Sequence, residues 1–128
     1  MQLHVPVSVG EVLDKITILQ IKLVHISDVG KRANVQNELD ALLPLVAGHR
    51  FTNSQMQTLI AELKSVNEAL WDIEDDIREK EASKNFDDEF VRLARAVYVT
   101  NDKRAAIKKQ MNLVTGSALI EEKSYESY

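Results

Sequence analysis

The feature that most constrains the fold is a stripe of eight residues, from Phe90 to Val114, that recur at alternating intervals of three and four. This spacing aligns their side chains on one face of an α-helix, the face that would pack against a core. Six of the eight are apolar, one is Thr100 and one is Arg104. Because a guanidinium keeps its proton, a buried arginine must be paired or must bind a ligand. The stripe therefore predicts a long core-facing helix that carries an interior polar site.

Similar periodicity, together with capping signals, predicts three further helices. Ser8 and Glu11 have the form of a capping box at the start of a very apolar first helix. The segment Thr52–Ser54 supplies N-cap candidates for a long third helix. The poor helix formers in Val99–Asp102 would allow a kink or a local break in the fourth. The expected helices are about Val9–Ile26, about Lys31–Ala47, the residues after the Thr52–Ser54 cap to about Ala82, and about Asp88–Val114.

Composition favours an all-α fold in a single domain, residues 1–128. Only 4 glycines and 2 prolines are present, so there is room for few connections between elements. We expect an antiparallel bundle of about four helices, two of them long, with an acidic tail, residues 117–128, ordered only in its first half. The first helix is apolar almost all the way round, which in so small a bundle favours sharing it with a second subunit. A homodimer is therefore expected.

Several classes of protein are disfavoured by what the sequence contains. The formal charge of −4 argues against a nucleic-acid partner. No apolar run approaches the roughly 18 residues that a membrane span needs, and the first residues do not form a secretory signal, so a cytoplasmic location without membrane association is expected. The 3 histidines are far apart and cysteine is absent. We therefore expect no metal site and no cofactor.

Polar residues beside the core-facing stripes form the candidate site. On the third helix a second polar and aromatic stripe lies about a quarter-turn from the apolar one, taking 100° per residue. If the flanks of three helices converge, charges of both signs meet in one inter-helix cavity. The candidate ligand-binding residues are Lys15, Lys22, Asn67, Trp71, Glu74, Arg78, Asn101 and Arg104.

Each candidate also has a simpler interpretation. Glu74 and Arg78 are four residues apart with the acid first, as in an exposed intrahelical pair. Trp71 is typical of a residue that packs at the edge of a core. Asn67 fits either a solvated face or a buried amide that sets the helix register. For Arg104 three roles stay open: reaching solvent by snorkelling, an internal bridge to an acid on the third helix, or ligand binding. The candidate acids for that bridge are Glu74 and Asp75.

The chain resembles a family of short, uncharacterised bacterial proteins, a domain of unknown function. The resemblance covers nearly the whole sequence. It is carried mainly by Leu-Trp-x-Ile-Glu-Asp-x-Ile-Arg at residues 70–78 and by Val-Tyr-x-x-Asn-Asp-x-Arg at residues 97–104. The segment 5–19, residues 31–34 and the closing residues 122–125 contribute as well. The resemblance implies a complete bacterial protein with an all-helical fold, and it implies no activity.

Three functions are compatible with these observations. The first is a non-catalytic binding or assembly module that self-associates and binds a protein or a small anionic ligand near Arg104. The second is an enzyme on a small anionic metabolite, by analogy with helical chorismate mutases. In it Lys15, Lys22, Arg78 and Arg104 would clamp carboxylates, and Glu74 would face a developing charge. The third is a purely structural polar layer that fixes helix register.

Overall fold

The helices begin where local capping signals stand in the sequence. In the computed structural model, which describes residues 1–128, the Ser8 hydroxyl accepts a hydrogen bond from the Glu11 N–H at 3.2 Å. The Asn53 side chain does the same for the Met56 N–H at 3.0 Å. These caps stabilise the first turns by binding N–H groups that lack a helical partner. The helices are α1 (Val9–His25), α2 (Val29–Leu42), α3 (His49–Thr52), α4 (Ser54–Ala82) and α5 (Asp88–Thr115).

The predicted all-α bundle with two long helices is confirmed, because the chain contains these helices and no strand. The second helix is shorter than predicted. It starts two residues earlier, capped by Asp28, and gives way at Leu43 to a 3₁₀ turn, Leu43–Val46, that contains Pro44. Proline lacks the N–H that a continuing α-helix needs. By contrast, α5 runs without a break through Val99–Asp102, so the poor intrinsic propensity of that segment does not interrupt the helix.

The core forms around α1, which packs against α2, α4 and α5. One apolar cluster joins α1 to α4 and α5, and a second joins α1 to α2. Much of the apolar circumference of α1 is therefore covered within one chain. None of the helices has the length and apolar character needed to cross a membrane. The buried apolar residues are Leu13, Met56, Leu63 and Met111 in the first cluster and Ile16, Leu19 and Leu39 in the second.

The C-terminal tail, Ser117–Tyr128, turns back and follows α5. Gly116 ends that helix with a φ of 68°, a conformation that glycine adopts at little cost. The tail is tied to α5 by ion pairs of Glu121 and Glu122 with Lys108 and Lys109. Its last residue, Tyr128, donates a hydrogen bond to Asp102 at 2.5 Å. Contacts thus extend along the whole tail rather than over its first half alone.

Candidate functional site

A buried carboxylate, Asp14 of α1, lies at the centre of the polar cluster. Its side chain is only 1% exposed. Oδ1 accepts hydrogen bonds from Asn67 Nδ2 of α4 and from Arg104 Nε of α5, both at 2.9 Å. Oδ2 is bound by a terminal guanidinium nitrogen of Arg104, and Lys108 Nζ lies 3.9 Å away. Asp14 therefore joins three helices through one side chain.

Asn67 and Thr17 complete the hydrogen bonding around this carboxylate. Asn67 Nδ2 also donates to Thr17 Oγ1 at 2.9 Å, and the Thr17 hydroxyl donates to the backbone carbonyl of Asp14 at 2.9 Å. Both side chains are buried. No buried side-chain nitrogen or oxygen of the chain lacks a hydrogen-bond partner. Of the two roles proposed for Asn67, the structure shows the buried amide.

Hydrogen bonds hold the guanidinium of Arg104 in place, although one edge of the side chain stays open to solvent. Nε and one terminal nitrogen bind Asp14, and the other terminal nitrogen is 3.5 Å from Asn101 Oδ1. The hydrogen bond to Asp14 raises the pKa of Arg104, outweighing the effect of burial. The prediction of an internal bridge to Glu74 or Asp75 is wrong in its partner, because the bridge goes to Asp14. The side chain remains 28% exposed, so it is neither sealed nor free in solvent.

Lys108 forms a second ionic centre one turn further along α5. Nζ binds Glu11 of α1 at 2.8 Å and Glu121 of the tail at 3.2 Å, and the side chain is 11% exposed. Burial alone would lower the pKa of Lys108. The hydrogen bonds to Glu11 and Glu121 and the nearby charge of Asp14 outweigh it and raise the pKa. The Glu11 carboxylate therefore binds Lys108 instead of closing the predicted capping box at Ser8.

A glycine brings α1 and α5 close enough for these contacts. A Cβ atom built on Gly10 would lie 2.7 Å from the backbone oxygen of Lys108, closer than real Cβ atoms come. The Gly10 N–H donates to Asn112 Oδ1 of α5 at 2.6 Å. Asp14 follows Gly10 by one turn and Arg104 precedes Lys108 by one turn. This close approach consequently sets the side chains of Asp14 and Arg104 opposite each other.

Beside the buried cluster lies a groove of about 480 Å³ between α1, α4 and α5. It brings together six of the eight candidate residues, with Arg104 at the end that adjoins Asp14. Ile18 and Leu70 supply apolar walls. The ring of His25 stacks on Trp71 with the ring centres 4.7 Å apart, which fixes the indole at the groove. The groove is lined by Ile18, Asn67, Leu70, Trp71, Glu74, Asp75, Arg78, Asn101 and Arg104.

The other two candidates do not line the groove. Lys15 forms an ion pair with Glu38 of α2 at 3.0 Å, on a different side of α1. Lys22 is partly exposed on α1 and makes no ion pair. Glu74 and Arg78 form the expected exposed intrahelical pair, at 3.1 Å, while also lining the groove. No group of three or more His, Cys, Asp or Glu side chains is placed to hold a metal ion.

Sequence reasoning missed Asp14 and Thr17, and it left Lys108 out of the candidate ligand-binding residues. A signal for Asp14 was present, because Asp14, Ile18 and Ile21 are spaced by four and three and so share one face of α1. Asp14 begins this apolar stripe of α1, so it indicates a buried charge in the same way as Arg104 does in the stripe of α5. It was hidden because every face of α1 is rich in apolar residues.

Comparison with known proteins agrees with the resemblance seen in the sequence. The profile of one family, described as a family of unknown function (DUF6165), matches residues 3–128. No curated protein and no solved structure matches the chain significantly. Because the family profile covers almost all of the sequence, the chain belongs to the DUF6165 family.

Proposed function

We propose that this protein is a non-catalytic binding protein, whose groove between α1, α4 and α5 holds a small ligand by an anionic group. The observation that carries the proposal is the state of Arg104. Its guanidinium is fixed by a buried carboxylate, and yet the side chain is 28% exposed at the end of the groove. This open edge lets the guanidinium face a ligand in the groove while Asp14 holds it in place.

Arginine has five N–H donors in a planar fork, which suits carboxylates and phosphates. Asp14 and Asn101 engage three of them, so two remain for a ligand. The bonds to Asp14 hold the guanidinium in place before binding. A ligand would therefore lose less free energy to ordering this side chain than it would with a mobile surface arginine.

The remaining walls suit a small molecule with an apolar part. Trp71, Leu70 and Ile18 offer apolar surface, and amide groups of Asn67 and Asn101 lie beside the guanidinium. The volume of about 480 Å³ falls within the range of sites for small ligands. Self-association is not part of this proposal, because the helix expected to mediate it is covered within one chain.

The test is a titration with octanoate and octyl phosphate, followed by calorimetry and by thermal stabilisation. We expect the parent protein to bind the probes. The Arg104→Lys variant should bind them about tenfold or more weakly, because lysine keeps the positive charge but lacks the planar set of N–H donors. Arg92→Lys is the matched control, since Arg92 is exposed on the same helix and pairs only with Glu89.

A second measurement uses the parent protein alone, so it does not depend on the folding of the Arg104→Lys variant. In the parent protein, the ¹⁵N–¹H signal of Arg104 Nε should move on addition of octanoate, while that of Arg92 should stay in place. Failure of both probes to bind, or equal affinity in the parent and in Arg104→Lys, would overturn the proposal.

A purely structural polar layer is the second candidate, and it is favoured by the complete hydrogen bonding of the cluster. Replacing a satisfied buried ion pair by apolar residues is often neutral or stabilising by about 1–4 kcal/mol. This candidate predicts that Asp14→Leu combined with Arg104→Leu folds with at least the parent's stability, and that the parent binds neither probe. A binding signal from Arg104 in the parent would exclude it.

The enzyme alternative receives less support. It required four cationic side chains, from Lys15, Lys22, Arg78 and Arg104, around one substrate. Only Arg78 and Arg104 line the groove, and Arg78 already pairs with Glu74. Absence of turnover in a chorismate assay would exclude the analogy with helical chorismate mutases.

A further inference from the structure

We infer that the ligand of this groove carries a cationic group as well as an anionic one, and that the site takes a zwitterion with a carboxylate at one end and an ammonium at the other. This inference rests on the proposed function and specifies its ligand. It comes from the charges that line the groove and from their order along it.

The charges of the groove do not favour a simple anion. Glu74, Asp75 and the underlying Asp14 contribute three negative charges, against two positive charges from Arg78 and Arg104. Lys108 adds no net positive charge because Glu11 and Glu121 bind it. A bound anion would make this region more negative still. A zwitterion would leave its net charge unchanged, so it avoids the electrostatic repulsion that an anion would meet.

The two ends of the groove differ in net charge: Asp14 neutralises Arg104 at one end, whereas at the other end Glu74 and Asp75 exceed Arg78 by one negative charge. Arg104 lies at the level of Asn67, because both donate to the same oxygen of Asp14. Glu74 and Asp75 are seven and eight residues further along α4, which corresponds to about 10–12 Å of helix. Trp71 lies between the two levels on the same helix. The arrangement fits a ligand with charged ends and an apolar middle.

Asp75 is the better partner for the ammonium group. It makes no hydrogen bond or ion pair within the chain, although it lines the groove. Glu74 is bound to Arg78, whose side chain is 79% exposed and can therefore be displaced at little cost. Once Arg78 has moved aside, both carboxylates can approach the ammonium group of the ligand.

The experiment compares four probes with the same eight-carbon chain. They are octanoate, ω-aminooctanoate, the dicarboxylate suberate and 1,8-octanediamine, each titrated into the full-length protein by calorimetry. We expect ω-aminooctanoate to bind roughly three- to fivefold more tightly than octanoate, the gain that a partly exposed ion pair gives. Suberate and the diamine should bind more weakly than ω-aminooctanoate, because each places a like charge at one end.

Variants then assign the gain to a residue. Asp75→Asn should reduce the preference for ω-aminooctanoate over octanoate towards one and leave octanoate binding at least as tight as in the parent. Asp72→Asn is the control, since Asp72 is exposed on the same helix and does not line the groove. It should keep the preference of the parent protein.

The outcomes separate this inference from the proposed function. If neither the carboxylate probes nor octyl phosphate binds, the proposed function fails, and this inference fails with it. If octyl phosphate binds and the carboxylate probes do not, only this inference fails. If octanoate binds through Arg104 but the amino group adds no affinity, only the zwitterion is excluded. The same conclusion follows if suberate binds most tightly. A preference that survives in Asp75→Asn would instead overturn the assignment of the ammonium group to Asp75.

Discussion

Arg104 and Asp14 are charged residues on core-facing surfaces, yet only the arginine could be identified from the sequence. Arg104 interrupts a stripe whose other members are apolar apart from one threonine, so its core-facing position is evident from the spacing. Asp14 lies in a helix with apolar residues on every side, and no single face of that helix stands out as the core. The presence of an interior polar site was therefore predictable, but the identity of the anion was not.

At this scale we predict that Asp14→Ala destabilises the protein by about 3 kcal/mol or more, because it leaves the guanidinium of Arg104 without its buried partner. The free energy of unfolding in urea measures the effect. Glu38→Ala is the comparison, since it removes the exposed pair with Lys15 and should cost no more than about 1 kcal/mol. Similar losses for the two variants would mean that the buried pair contributes little to stability.

The ends of the helices are the best-predicted features at the scale of elements. Caps such as Asn53 and Ser8 act within three residues, so they can be identified from sequence alone. The continuity of α5 across Val99–Asp102 was not predictable, because the local propensity of that segment for helix is poor. The same holds for the role of α1. Its apolar surface favoured a partner subunit in the sequence, and in the structure much of that surface packs against α2, α4 and α5 of the same chain.

The contact of α1 with α5 leads to a prediction with a matched control. Gly10→Ala should destabilise the protein by about 1–3 kcal/mol, because the added methyl group meets the backbone of Lys108 and forces the helices apart. Gly30 is likewise the second residue of its helix, and there the nearest atom is a flexible Asp28 oxygen at 3.4 Å. Gly30→Ala should be neutral or stabilising. Thermal unfolding of both variants gives the comparison, and an unaffected Gly10→Ala would show that the helices can separate freely.

At the scale of the whole molecule, the groove was predicted in part. The contributions of α4 and α5 followed from their stripes, and Asn67, Trp71, Glu74, Arg78, Asn101 and Arg104 do line it. The contribution of α1 was different from the prediction, with Ile18 in the groove in place of Lys15 and Lys22. Periodicity gives the faces of a helix but not its rotation within a bundle. That rotation depends on contacts between residues far apart in sequence, such as Gly10 with Asn112.

The raised pKa of Lys108 predicts how the assembly of α1, α5 and the tail responds to alkali. The stabilisation from this lysine is fully present below its ordinary pKa of 10.5 and is lost as the pH rises through the higher value of the folded state. Between about pH 10 and pH 12 the parent should therefore lose more stability than Lys108→Met. Urea unfolding at several pH values measures this difference. If the free energy of unfolding fell equally with pH in the two proteins, the prediction would be wrong.

The close approach at Gly10 has a consequence for the shape of the groove. Gly10 and Ile18 belong to one rigid helix, about 12 Å apart, so the position that sets the spacing of α1 and α5 also sets the width of the groove. A larger side chain at residue 10 would tilt the wall that Ile18 forms. The width of the groove would thus change through a residue that does not line it.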